Sequence, residues 1–254
     1  MTIRRREGGQ GRGRSLPAGP VRQPGVRQFP LVTAQEISGV FAEASSEVWD
    51  LARIHEFVST SVGEVLRRRK VPKRHVRAPD LEIAVPAIEA MRYCPFREEL
   101  VSLLAAAMDA RFSYRAHPSF VNILRQLTQD ELRLLTVMPP SGEVIPLAHI
   151  YANAEDGRSW SIRRNLLPAE LVGHCRSPEA IATYVDNLLR LQLVMVPSDI
   201  RIGEEAPYQD LFRQAANQDA LREAYARGRP RVIKSALMLT DLGEHFCSVC
   251  LAGR

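Results

Sequence analysis

The chain has no apolar run approaching the ~18 residues that a membrane helix needs. No apolar segment follows its first arginines, so neither a signal peptide nor membrane insertion is expected. Four cysteines (Cys94, Cys175, Cys247, Cys250) in 254 residues do not make a disulfide framework, and a reducing cytoplasm is the expected compartment. There is no G-x-S-x-G turn, no P-loop, no dinucleotide fingerprint and no carboxylate or histidine spacing of a metal hydrolase. The six histidines (55, 75, 117, 149, 174, 245) are scattered. Cys247-x-x-Cys250 has no second pair to complete the four ligands of a zinc site. On a helix, Cys250 shares the buried face with Phe246, as a core cysteine does. The expectation is a protein with no catalytic residue, no metal and no cofactor.

Charge is unevenly placed. Residues 1–30 hold seven arginines and one acid, and residues 67–77 hold seven basic side chains and no acid. Against a total of +5, this leaves an acidic remainder. The pI of 9.3 thus belongs to two segments and not to the folded surface. Residues 1–32, rich in Gly, Arg, Pro and Gln, are expected to form a disordered basic tail. Arg67, Arg68, Arg69, Lys70, Lys73, Arg74 and Arg77 are the candidate polyanion contacts, the other reading of the run being a solvated linker.

The stretch 105–135 organises the rest. Leu100, Leu103, Leu104, Ala107 and Met108 share one helical face. His117-Pro118-Ser119-Phe120 opens another helix, with the proline where a missing N–H is harmless, and His117 bonding the turn. Phe120, Ile123, Leu124 and Leu127 form its stripe. Thr128 with Glu131 is a capping box, and Leu132, Leu135 and Met138 continue inward. Thr33 with Glu36 is a second box. It starts a long amphipathic helix whose stripe runs from Ile37 through Val48, Leu51, Ala52, His55, Val58, Val62 and Val65 to Leu66. Homo-oligomerisation through 33–66 is one use for such length.

Pro86 and Pro95 open two further helices. Beyond Pro140, a strand is expected at 144–151, a turn at 153–159, a short helix at 168–174 and a helix capped by Ser177. A strand at 193–196, a helix within 207–226, a strand at 231–239 and a helix capped by Thr240 complete the chain. Helix, helix, strand, polar excursion, strand, helix is the order of a winged-helix module. Its reading helix offers Thr183, Asn187 and Arg190 but also Glu179 and Asp186, which is poor for phosphate.

The AAMD…HPSFVNILRQLTQDELRLL string of residues 85–135 resembles the abortive infection alpha family of bacterial proteins. DNLLRLQLV at 186–194 and LTDLGEHFCSVC at 239–250 are similar to the end of that family. Gln192 stands where its turn would carry glycine. The resemblance implies a cytoplasmic bacterial protein associated with defence against phage, and it brings no catalytic residues.

The expected fold is mainly α with a small β component: a helical bundle plus a C-terminal winged-helix-like module and a long N-terminal helix. Its parts are a tail (1–32), the long helix with a basic linker (33–78), a helical core (79–138) and the winged-helix-like module with an inserted wing (139–254). The expected function is non-enzymatic phage defence through a protein or nucleic-acid partner. The alternative is a winged-helix transcriptional regulator, and a third reading is a toxin-like enzyme whose site forms only on folding.

Overall fold

The structure is a computed structural model that describes residues 35, 38, 42, 48–140, 142–200, 202–203 and 205–251. The tail and the Thr33/Glu36 box lie outside these residues. From Val48 onward the chain is mainly helical, with a small four-stranded sheet.

The expected unbroken helix over 33–66 is interrupted. Val48, Trp49 and Asp50 are not helical, and the Trp49 N–H donates to the Arg92 carbonyl at 2.9 Å. The guanidinium groups of Arg53 and Arg97 stack on the Trp49 ring at 4.1 and 4.0 Å. Asp50 then caps a new helix, α1 (Leu51–Arg68), accepting from the Arg53 N–H at 2.7 Å. This restart resets the helical phase. Ile54, Val62, Val65 and Leu66 are buried, whereas His55, expected on the apolar face, is exposed.

α2 (Leu81–Met91) begins at Leu81, with Pro86 inside it and not at its start. α3 (Arg97–Met108) is the centre of the core. Every residue from Glu99 to Ala107 is buried, so a helix expected to hide one face is enclosed on all sides. In α4 (Ser119–Leu124), Phe120, Ile123 and Leu124 are buried, and Leu127 follows them. His117 Nδ1 lies 2.7 Å from Ser119 Oγ and accepts from the Ser119 N–H, the turn bond expected of it. α5 (Gln129–Val137) carries both halves of the Thr128/Glu131 capping box.

The sheet consists of β1 (Ile145–Asn153), β2 (Ser159–Leu166), β3 (Val194–Met195) and β4 (Arg229–Leu239). Their order is β2-β1-β4-β3, antiparallel throughout. β2 was not expected, because Arg163, Arg164 and Asn165 break the apolar alternation that marks a strand. α6 (Ala169–Val172) and α7 (Ile181–Arg190) follow it. The side chain of Ser177 makes no cap bond. The Asp130 carboxylate instead accepts from the N–H groups of Arg176 and Ser177 at 3.0 and 2.9 Å. The single helix expected within 207–226 is two, α8 (Ala206–Arg213) and α9 (Ala215–Arg227), separated at Gln214. Their Leu211, Ala220 and Ala224 meet Ala148, Ile150, Ala152 and Leu166 in a small satellite core. Thr240 caps α10 (Asp241–Phe246), which ends in a π-helical turn at Cys247–Leu251.

Gln192, between α7 and β3, has φ of +59°, the left-handed region that glycine enters without strain. Gln192→Gly is therefore expected to stabilise the fold by about 0.5–1 kcal/mol, the relieved strain exceeding the added unfolded-state entropy. Urea denaturation with an unchanged m-value and a higher midpoint is the supporting result.

Candidate functional site

The basic run is built from the end of α1. After Arg69 the backbone of Lys70 turns left-handed, at φ +51°. The Val71 N–H returns to the Leu66 carbonyl at 3.0 Å, which closes the helix in the manner of a Schellman turn. Lys73–His75 form one 3-10 turn. An antiparallel bridge then joins Val76 to Asp109. The Arg77 N–H donates to the Met108 carbonyl and the Ala110 N–H to the His75 carbonyl, at 2.9 and 2.8 Å. The run is thus fastened to the loop after α3, which a free linker would not be.

Six of the seven candidate cations face solvent: Arg67, Arg68, Lys70, Lys73, Arg74 and Arg77. Arg77 has one exposed acidic neighbour, Asp80, at 3.8 Å, a pairing worth little in water. Arg68 lines a 450 Å³ cleft whose walls also carry Glu64, Glu98 and Glu99. Arg69 departs from the expected surface role. It is half-buried, and its guanidinium donates to the Ser102 and Val249 carbonyls at 3.2 and 3.3 Å. Burial lowers its pKa, and Arg68 lowers it further. Arg69 ties α1 to α3 and to the C-terminal turn.

Sequence reasoning missed the loop that the run docks on, which adds Arg111 and Arg115. Arg111 grips Asp109 through two bonds, Nε to Oδ1 at 2.9 Å and Nη2 to Oδ2 at 2.8 Å. These bonds hold the Asp109 carboxyl below its ordinary value in spite of its burial. The loop was legible as a polar turn with Phe112 and Tyr114, but no sequence pattern places it beside residues 73–77.

The remaining candidates settle into the fold. Cys250 and Phe246 are both buried, as core residues. Burial pushes the Cys247 thiol up to about 12 and Cys250 well above its ordinary value, so neither is poised as a thiolate. On α7, Asn187 Nδ2 donates to the Gln126 carbonyl and to Glu131 Oε1 at 2.9 and 2.8 Å. Arg190 donates to Asn187 Oδ1. Asn187 is thus engaged within the protein, whereas Arg190 and Thr183 are exposed. Among the described residues no group of three or more His, Cys, Asp or Glu side chains is placed to hold a metal ion. No helix among them is long and apolar enough to cross a membrane.

Together these features define a mainly helical protein with a small antiparallel sheet and a fastened, solvent-facing cationic segment. Residues 53–250 match the family model described as abortive infection alpha, and the chain belongs to that family. No curated protein matches the chain. A solved structure of an uncharacterized protein from the hydrocarbon-degrading marine bacterium Alcanivorax borkumensis SK2 is 19% identical to it. That match covers 55% of this chain and 96% of the other, at a TM-score of 0.35.

Proposed function

We propose that the protein is a non-enzymatic, cytoplasmic phage-defence protein that acts by binding a polyanionic partner, nucleic acid or an acidic protein surface. Family membership suggests the abortive-infection role. The observation that supports the binding mode is the fastened basic run, which holds Arg67, Lys70, Lys73, Arg74 and Arg77 toward solvent with Asp80 as the acid beside them. A run held in place loses less conformational freedom on binding than a flexible tail does. The C-terminal part is read as a winged-helix derivative. The strand order β1-β4-β3, with α7 entering β3, supports this, and β2 and the pair α8–α9 are additions to it. Its role is scaffolding, since Asn187 on α7 is engaged with Gln126 and Glu131.

The test replaces Arg67, Lys70, Lys73, Arg74 and Arg77 by alanine in the full chain. Binding to a fluorescent DNA duplex and to polyglutamate is followed across salt concentrations, and phage plating is measured in a susceptible bacterium. The parent should bind at least one probe with a steep salt dependence, and the variant should lose about 0.9 from the slope for each DNA phosphate contact removed. Protection against phage should fall in parallel. Equal affinity of parent and variant for both probes would sink the proposal.

A further inference from the structure

Where Arg69 leaves the surface, a second and smaller feature forms. A 120 Å³ pocket is lined by Arg69, Asp109, Phe112, Arg115 and Ser248. Two guanidinium groups therefore serve one small space. Among the described residues, neither Arg69 nor Arg115 has a carboxylate within the 4.0 Å of an ion pair. The one acid that the lining carries, Asp109, is gripped at both oxygens by Arg111, and its charge also acts on Arg69. Arg69 uses two of its N–H groups on carbonyls, and Arg115 donates from Nη2 to Ser248 Oγ at 3.1 Å. A guanidinium carries five donors, so most of this capacity is unspent. Two like charges held together with spare donors are at their most stable with an anion between them.

The volume limits what that anion is. It equals about four waters at ~30 Å³ each, which suits one tetrahedral oxyanion. An open 410 Å³ depression adjoins it, sharing Arg115 and Ser248 and adding Tyr114, Asp241, Glu244 and His245. Tyr114 lines this depression and is 79% exposed, and an exposed aromatic ring is a surface on which a base can stack. Asp241 and Glu244 accept hydrogen bonds from hydroxyl or amino groups and repel further phosphates. From this arrangement we propose that the pocket binds a nucleoside 5′-monophosphate. Its phosphate lies between Arg69 and Arg115, its base on Tyr114, and its ribose hydroxyls toward the two carboxylates. Bound there, the nucleotide joins the loop after α3 to the C-terminal turn.

Titration calorimetry on the full chain tests this, with adenosine and uridine 5′-monophosphate, ATP and inorganic phosphate as probes. At least one monophosphate should bind more tightly than either ATP or inorganic phosphate. Arg115→Ala should weaken it by roughly tenfold or more, and Tyr114→Ala should weaken it by about tenfold while leaving inorganic phosphate unaffected. Both residues are exposed, and an unchanged circular dichroism spectrum verifies folding. The Arg67→Ala/Arg74→Ala double variant should keep full nucleotide affinity, which separates this site from the cationic run. The proposal is overturned by no binding of either monophosphate at millimolar concentration, by undiminished affinity in Arg115→Ala, or by ATP or phosphate binding as tightly as the monophosphates.

Discussion

Gly243→Ala should strongly destabilise the fold. A Cβ at this position of α10 would lie 1.9 Å from the Leu193 carbonyl oxygen and 2.9 Å from its carbon, both backbone atoms with nowhere to go. The close approach is locked from several sides. The Gly243 N–H donates to Thr240 Oγ1 at 2.9 Å, the Thr240 N–H to the Leu193 carbonyl at 3.1 Å, and Thr240 Oγ1 to the Gln192 carbonyl at 2.6 Å. Displacing α10 to admit a methyl group would break these bonds. It would also pull Phe246, which is fully buried against Phe120 at 5.5 Å, out of the core. A loss of at least ~3 kcal/mol is expected, in the range of overpacking combined with lost hydrogen bonds. Gly63→Ala is the control. It lies within α1 with nothing inside 4 Å of the added Cβ, and should stabilise by about 0.5–1 kcal/mol. Urea midpoints for the two variants should move in opposite directions, and a Gly243→Ala midpoint matching the parent would contradict the packing described.

Asp130→Asn should be nearly as damaging, by a different route. Asp130 is buried at the start of α5 and accepts from the Arg176 and Ser177 N–H groups, from the Tyr184 hydroxyl at 3.2 Å and from Arg133. One carboxylate therefore fastens α5 to the segment leading into α7. An amide keeps the shape but turns an NH2 group toward backbone donors, leaving at least one of them without an acceptor. The expected cost is about 2–3 kcal/mol. It should depend on pH. Burial raises the Asp130 pKa, but its hydrogen bonds outweigh burial and the net value is lowered. A lowered folded-state value means that the ionised carboxylate stabilises the fold above the unfolded-state pKa near ~3.9 and ceases to do so as pH falls through the folded-state value. The gap between parent and Asp130→Asn should be constant from neutral pH down to about 5, then close below about 4. A gap that stays constant to pH 3 would show that Asp130 does not act through its charge.

The limits of the sequence are clearest in these two regions. Thr128, Glu131 and Thr240 announced their caps because capping depends on residues three apart, and that spacing survives folding. Nothing local shows that α7 covers Asp130 and Glu131. The break at Trp49 was hidden because Val48 and Leu51 both fit one continuous apolar stripe. The backbone is out of the helix where the Trp49 N–H meets the distant Arg92 carbonyl and Asp50 caps the next helix. β2 was hidden by its arginines, one of which, Arg164, pairs with Asp186 at 2.6 Å on another element.

The basic run itself was legible as a charge cluster, but its division was not read. Arg69 follows Val65 by four residues and Leu66 by three, and both are buried. Helical spacing therefore turns Arg69 inward while Arg67 and Lys70 stay out. That signal was available. The pocket that Arg69 and Arg115 share was not, because it depends on Ser248, 133 residues beyond Arg115.

The sheet also bears on how the chain reaches its native state. β1 pairs along its whole length with β4, from Ile145 with Leu237 to Asn153 with Arg229, and β3 adds only Val194 and Met195. These central partners are separated by roughly 80 residues, so the loop-closure entropy must be met before any ladder bond compensates it. During synthesis, helices α3 to α5 can pack soon after they emerge. β1 must wait with an unpaired edge until β4 has left the ribosome, an interval of about 4–16 s at 5–20 residues per second. For that interval the nascent chain carries an open strand edge, and nascent chains are expected to meet chaperones or one another there.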